Sequence, residues 1–245
     1  MFLAIFYLYF FFQFVIKKNL SSIVIFSFLS GLLILLRGEY RIIFVLSLLY
    51  LFFFFKISIK KILLIFDEVQ CGIGRTGKFF SYQWSKIEPD ILATAKGMGG
   101  GFPIGACLVT DKASKGIKFG SHGSTFGGNP LACSVAKRVI EIISEKKFLN
   151  DLNQKATFFV NKLEMIKNTY NHLINEIRGR GFLLGIKIKI NNSIFIEKLR
   201  NNGLLSIGAN ENIIRILPPL NVTNKDLKIA LKIIEKTCID INSKK

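Results

Sequence analysis

Asp67 and Lys96 stand 29 residues apart, each just past a short apolar run of β-type residues. Residues 62–66 (Ile-Leu-Leu-Ile-Phe) lead into Asp67-Glu68-Val69-Gln70, and Ile91-Leu92-Ala93-Thr94-Ala95 leads into Lys96. Gly97, Gly99, Gly100, Gly101 and Gly105 crowd the lysine. A Walker loop is excluded, because G-x-x-x-x-G-K-[ST] is absent. Such glycines instead allow close backbone approach and positive φ around the lysine. A lysine partly removed from water is a nucleophile for carbonyl groups and forms Schiff bases. With an aspartate on the neighbouring strand end, it makes the pair that a pyridoxal phosphate site requires. The lysine holds the aldehyde as an imine, and the carboxylate keeps the ring nitrogen protonated so that the ring draws electrons. Taken alone, Asp67 reads as a helix cap.

Such a pair needs a scaffold that sets two strand ends side by side. Residues 62–66 have the pattern of a fully buried strand in a parallel sheet. Ligands of open α/β folds gather outside the carboxyl ends of such strands. Residues 130–147 carry Leu131, Val135, Val139 and Ile143 at helical spacing, and 153–173 carry Phe159, Leu163, Ile166 and Tyr170. The segment from Arg178 to Gly185 reads as a turn feeding a strand with Ile186, Ile188 and Ile190. Residues 193–202 form a short helix ended by Gly203. Thr223-x-x-Asp226 is a capping box before a last helix, 227–239, with Leu227, Leu231, Ile234 and Cys238 on one face.

The chain has 245 residues and is a composite of two compositions. Residues 1–60 hold 13 of the 24 Phe, 2 of the 20 Gly, no Pro and one acid, Glu39. Three apolar runs, 2–16, 22–36 and 42–55, each fall short of the ~20 residues a helix needs to cross a hydrocarbon core. No basic residue precedes the first run and no small-residue cleavage site follows it, which argues against a signal peptide. A membrane anchor of up to three spans, a buried Phe-rich segment, and a decayed or misread stretch of AT-rich coding sequence all stay open. The formal charge of +18 comes from single and paired lysines on amphipathic stretches, without a recognition module. That is a solvated surface, and no nucleic-acid partner is expected. Cys71, Cys107, Cys133 and Cys238 are widely spaced, and His122 and His172 stand apart. Neither a disulfide framework nor a metal site is expected, and reduced thiols point to the cytoplasm.

Three segments are diagnostic in combination: Asp67-Glu68-Val69-Gln70-x-Gly72-x-Gly74-Arg75-Thr76-Gly77, Ala95-Lys96-Gly97, and Gly123-Ser124-Thr125-Phe126-Gly127-Gly128-Asn129-Pro130-Leu131-Ala132. They resemble the class III (ornithine-type) aminotransferases over residues 61–240. The resemblance implies an α/β, fold-type-I pyridoxal-phosphate-dependent transferase. Part of the cofactor-binding large domain would span 61–165 and a small α+β domain 166–245, with 1–60 atypical. Lys96 then resembles the lysine that holds the cofactor and shuttles the α-proton, and Asp67 the partner of the ring nitrogen. Val69 resembles the residue on the ring face, and Gln70 the one near the ring hydroxyl. Ser124 and Thr125 resemble a loop that enters a neighbouring subunit's site, where Thr125 bonds the cofactor phosphate.

Arg215, within Ile213-Ile214-Arg215-Ile216-Leu217-Pro218-Pro219-Leu220, resembles the arginine that grips the substrate α-carboxylate, for which a planar fork is suited. Without the resemblance it reads as a surface charge on an edge strand. Glu39 in Arg37-Gly38-Glu39 resembles the glutamate that pairs with this arginine. The implied reaction moves the δ-amino group of N-acetylornithine to 2-oxoglutarate in arginine biosynthesis. Succinyldiaminopimelate and other ω-amines are related donors, and the implied assembly is a homodimer with shared sites. The family's phosphate-cupping loop, ring-stacking aromatic and distal arginine have no match in residues 1–60. The alternative is therefore an inactive remnant, or a non-enzymatic chain anchored in a membrane through residues 1–60.

Overall fold

The computed structural model describes residues 62–243, of which 63 onward form one compact unit. Glu39 and the three apolar runs lie outside the described residues. Two sheets organise the rest. The first holds β1 (Ile65–Asp67), β2 (Ile91–Thr94) and β3 (Ala106–Val109) in that order, with β1 parallel and β3 antiparallel to β2. The second is antiparallel, in the order β4 (Ile174–Arg180), β5 (Leu183–Ile188), β7 (Ile213–Ile216) and β6 (Ile207–Ala209). Gly181 and Phe182 make the turn between β4 and β5, so the expected turn is one end of a hairpin.

Five helices connect and cover these strands: α1 (Asp111–Ser114), α2 (Pro130–Ser144), α3 (Lys146–Thr169), α4 (Asn192–Asn201) and α5 (Asn224–Asn242). Their starts follow from capping chemistry. The Asn129 side chain accepts the Ala132 N–H at 2.9 Å, with Pro130 in the first helical position. Asn191 accepts the Ser193 N–H at 3.0 Å, and Thr223 the Asp226 N–H at 3.1 Å. Gly203 follows α4 at φ +93, a left-handed stop. α3 begins at Lys146 rather than near Asn153, because Leu152 already belongs to its buried face.

The main core lies where α3, α4 and α5 cover one face of the second sheet. Phe159, Phe182, Phe195, Leu199, Ile214 and Ile234 are fully buried there. Alternation along the strands sends Ile214 and Ile216 into this core and Arg215 to the opposite face.

Three sequence readings need correction. The run at 62–66 is not a buried strand: β1 ends the sheet order among the described residues, and Ile65 is 64% exposed. An apolar run signals strand propensity without saying whether both faces are covered. β7 is no edge strand, since β5 and β6 flank it. On α2 the buried stripe is Ala132, Ala136 and Ile143, while Leu131 is exposed. Ile143 is buried as its spacing predicts and Val135 and Val139 are half-buried, but the first turns pack through the alanines that follow Leu131 and Val135.

Candidate active site

The register of β1 and β2 pairs Asp67 with Ala93, and the Glu68 N–H extends the pairing by donating to Ala93 O at 2.8 Å. Both strands run in parallel, so the chain after Asp67 and the chain after Ala93 leave the sheet at the same edge. Lys96 therefore emerges three residues past the partner of Asp67. Adjacent strands lie about 4.8 Å apart. One sheet edge thus presents a carboxylate and an amine, the two groups whose chemistry fits the ring nitrogen and the aldehyde of pyridoxal phosphate.

Asp67 is exposed, and its Oδ1 accepts the Val69 N–H at 2.9 Å. The carboxylate thus caps its own turn, the plainer role its sequence suggests, and its Oδ2 has no partner among the described residues. Val69 is half-buried and Gln70 exposed beside it. Lys96 opens a 3-10 turn, Lys96–Gly99, with its backbone at φ +42. A side chain in the left-handed region costs about 1–2 kcal/mol. Gly100, at φ +57, closes that turn against α2, where an added Cβ would lie 2.9 Å from Val139 Cγ2. The amine of Lys96 is exposed and has no partner among the described residues.

The other expected residues lie apart from this edge. Ser124 and Thr125 belong to an exposed loop before α2 and make no hydrogen bond to the strand ends. Arg215 lies on the second sheet, between Gly185 and Ile207, and its guanidinium has no partner among the described residues. A concavity of about 300 Å³ between α3 and the start of α5 is lined by Asp151, Gln154, Lys155, Phe158, Asn224 and Lys228, none of them an expected site residue.

Two residues beside the site had no role in the sequence reading. Glu68 is 2% exposed, and its carboxylate accepts the Ser81 N–H at 2.8 Å and the Tyr82 N–H at 2.7 Å. It pins the 3-10 turn Ser81–Trp84 behind β1. The Cys71 thiol lies 3.4 Å from Glu68 Oε2 and is pushed up to about 11, by burial first and by the Glu68 charge second. Arg75 is half-buried and reaches the second sheet, and burial lowers its pKa from the usual value. Only its place in a Gly-x-Gly-Arg-Thr-Gly loop hinted at either contact.

The profile of one family, aminotransferase class III, matches residues 57–238. Acetylornithine aminotransferase of Mesorhizobium japonicum is 49% identical over 170 residues, covering 69% of this chain and 43% of that protein. Acetylornithine aminotransferase 2 of Caulobacter vibrioides is 47% identical over 178 residues, 72% of this chain and 44% of that protein. The crystal structure of acetylornithine aminotransferase from Elizabethkingia anophelis superposes with a TM-score of 0.68 at 38% identity, covering 73% of this chain and 46% of that one. Ornithine aminotransferase from Toxoplasma gondii gives 0.71 at 33% identity, covering 76% and 45%. The chain spans less than half the length of the curated relatives it matches. Matched by that family's profile along most of its own length, the chain belongs to the class III aminotransferases.

Proposed function

We propose that this chain serves pyridoxal-phosphate-dependent transamination, moving the terminal amino group of N-acetylornithine to 2-oxoglutarate. The observation that carries the reading is the parallel register that brings Asp67 and Lys96 out at one sheet edge. When bound, pyridoxal phosphate supplies an electron sink for the carbon that gains or loses the amino group. Lys96 Nζ binds the cofactor aldehyde and moves the proton at that carbon. Asp67 holds the proton on the ring nitrogen through the carboxylate oxygen that Val69 leaves free. Val69 orients the ring by packing on its face, and Gln70 bonds the ring hydroxyl. Arg215 binds the substrate α-carboxylate through its planar fork; Glu39, the expected partner of that arginine, lies outside the described residues. Ser124 and Thr125, exposed in this chain, serve the phosphate in a second copy's site, which makes the working unit a homodimer. Succinyldiaminopimelate is a second donor under this reading, and the cytoplasm the compartment. Among the described residues no helix is long and apolar enough to cross a membrane.

The exposure of β1 and Lys96 favours a second reading, in which this chain retains no cofactor. One experiment separates the two. The full chain is mixed with pyridoxal phosphate and its visible spectrum recorded beside Lys96→Ala. A protein-bound band absent from the variant, followed by turnover of N-acetylornithine, supports the first reading. Identical spectra with only free cofactor overturn it.

A further inference from the structure

Arg75 sits in the glycine-rich loop after β1, yet its guanidinium bonds to the second sheet. Its Nη1 donates to Pro218 O at 2.6 Å and to Phe182 O at 3.4 Å. The Phe182 N–H donates in return to Arg75 O at 2.9 Å. Phe182 lies in the β4–β5 turn, and Pro218 follows the end of β7 by two residues, three beyond Arg215. The seam between the sheets is tight. Gly181 adopts φ +58, and an added Cβ there would lie 2.5 Å from the Thr76 carbonyl carbon and 2.7 Å from Arg75 O. Beside it, Trp84 Nε1 donates to Thr76 O at 3.1 Å, and the Arg180 guanidinium lies 4.1 Å over the Trp84 ring.

A half-buried cation is costly without a partner, and here no carboxylate lies within ion-pair distance among the described residues. Backbone carbonyls alone receive it. An apolar side chain would cover the same loop without that desolvation. What an arginine supplies is reach and a terminal nitrogen with two N–H donors, so that Nη1 alone ties two carbonyls directionally. The tie joins the segment that descends from Asp67 to the segment that descends from Arg215.

We propose that Arg75 is a positioning residue: it holds the end of β7, and Arg215 with it, in fixed register with the strand ends that carry Asp67 and Lys96. The purpose of that register rests on the transamination reading, but its dependence on Arg75 does not. The test uses the full chain with Arg75→Met, which keeps bulk and loses the donors, and Arg75→Lys, which keeps a charged donor on a shorter side chain that reaches the two carbonyls less well.

Two signals are read. The first is turnover with pyridoxal phosphate, N-acetylornithine and 2-oxoglutarate. Arg75→Met should raise KM for both carboxylate substrates about tenfold while kcat falls less than about threefold, with cofactor uptake unchanged; Arg75→Lys should fall between it and wild type. A general loss of stability would instead lower kcat and cofactor uptake together. The second signal is the emission of Trp84, the one tryptophan of the chain. It should move to longer wavelength in Arg75→Met as the seam opens, and less in Arg75→Lys. Unchanged KM and unchanged emission in folded Arg75→Met overturn the proposal, as does parallel loss of kcat and cofactor uptake.

If the wild-type chain shows neither cofactor band nor turnover, the transamination reading fails by itself. Trp84 emission then decides whether Arg75 holds the register. If Arg75→Met does not fold, Arg75→Lys carries the test, and wild-type values in both signals overturn the proposal.

Discussion

Glu68 Oε1 accepts the Tyr82 N–H at 2.7 Å, so the residue next to the candidate ring-nitrogen partner anchors a turn fourteen positions downstream. The same carboxylate receives the Ser81 N–H through its other oxygen. One buried acid thereby fixes the floor beneath the strand end on which Asp67 sits.

Replacing that acid by alanine leaves two backbone donors without their acceptor, and each unmet donor costs about 1–3 kcal/mol. Glu68→Ala should lower unfolding free energy by about 2–4 kcal/mol in urea titrations followed by circular dichroism. In the milder Glu68→Gln, loss of the negative charge lowers the Cys71 pKa from about 11, although burial, the larger cause, still holds it up. Cys71 should therefore alkylate faster at fixed pH in Glu68→Gln than in wild type.

The backbone of Lys96 makes a separable prediction. At φ +42 any side chain is strained, whereas glycine is not. Lys96→Gly should be more stable than Lys96→Ala by about 0.5–1 kcal/mol, after allowing for the greater chain entropy of glycine. Both variants lose the amine, so the difference measures conformation alone.

Alkaline pH should weaken the fold through its buried thiol, Cys238. The Cys238 thiol is pushed up from 9.0 to about 12, by burial first and by the Glu235 charge second. A thiol that ionises less readily when folded stabilises the chain fully below pH 9. That contribution is lost as pH rises through the folded value. The urea midpoint should fall between pH 8 and pH 11, and fall less in Cys238→Ala.

In the core, Phe159 is completely buried against the second sheet. Phe159→Ala should cost about 3–5 kcal/mol, measured in the same urea titration.

What the sequence makes legible is what depends on near neighbours. Thr223 and Asp226 lie three residues apart, and the helix they cap buries Leu227, Leu231, Ile234 and Cys238 as their spacing requires. The Asp67–Lys96 pair is readable because each residue ends its own apolar run. The Arg75–Pro218 bond spans 143 positions, and no local pattern signals it. Exposure of Ile65 is equally hidden, since strand propensity is the same for an edge and for an interior. Leu131 misled for a related reason: a small alanine face packs a helix as closely as a leucine face does.

The main core draws all its buried members from Leu152 to Cys238, while the sheet bearing Asp67 and Lys96 contributes none. Cooperative strength is therefore unevenly divided along the chain. In native-state hydrogen exchange the amides of β5, α3 and α5 should be the last to exchange, and those around Lys96–Gly99 among the first. The strand ends that carry Asp67 and Lys96 should then open before the sheet that carries Arg215.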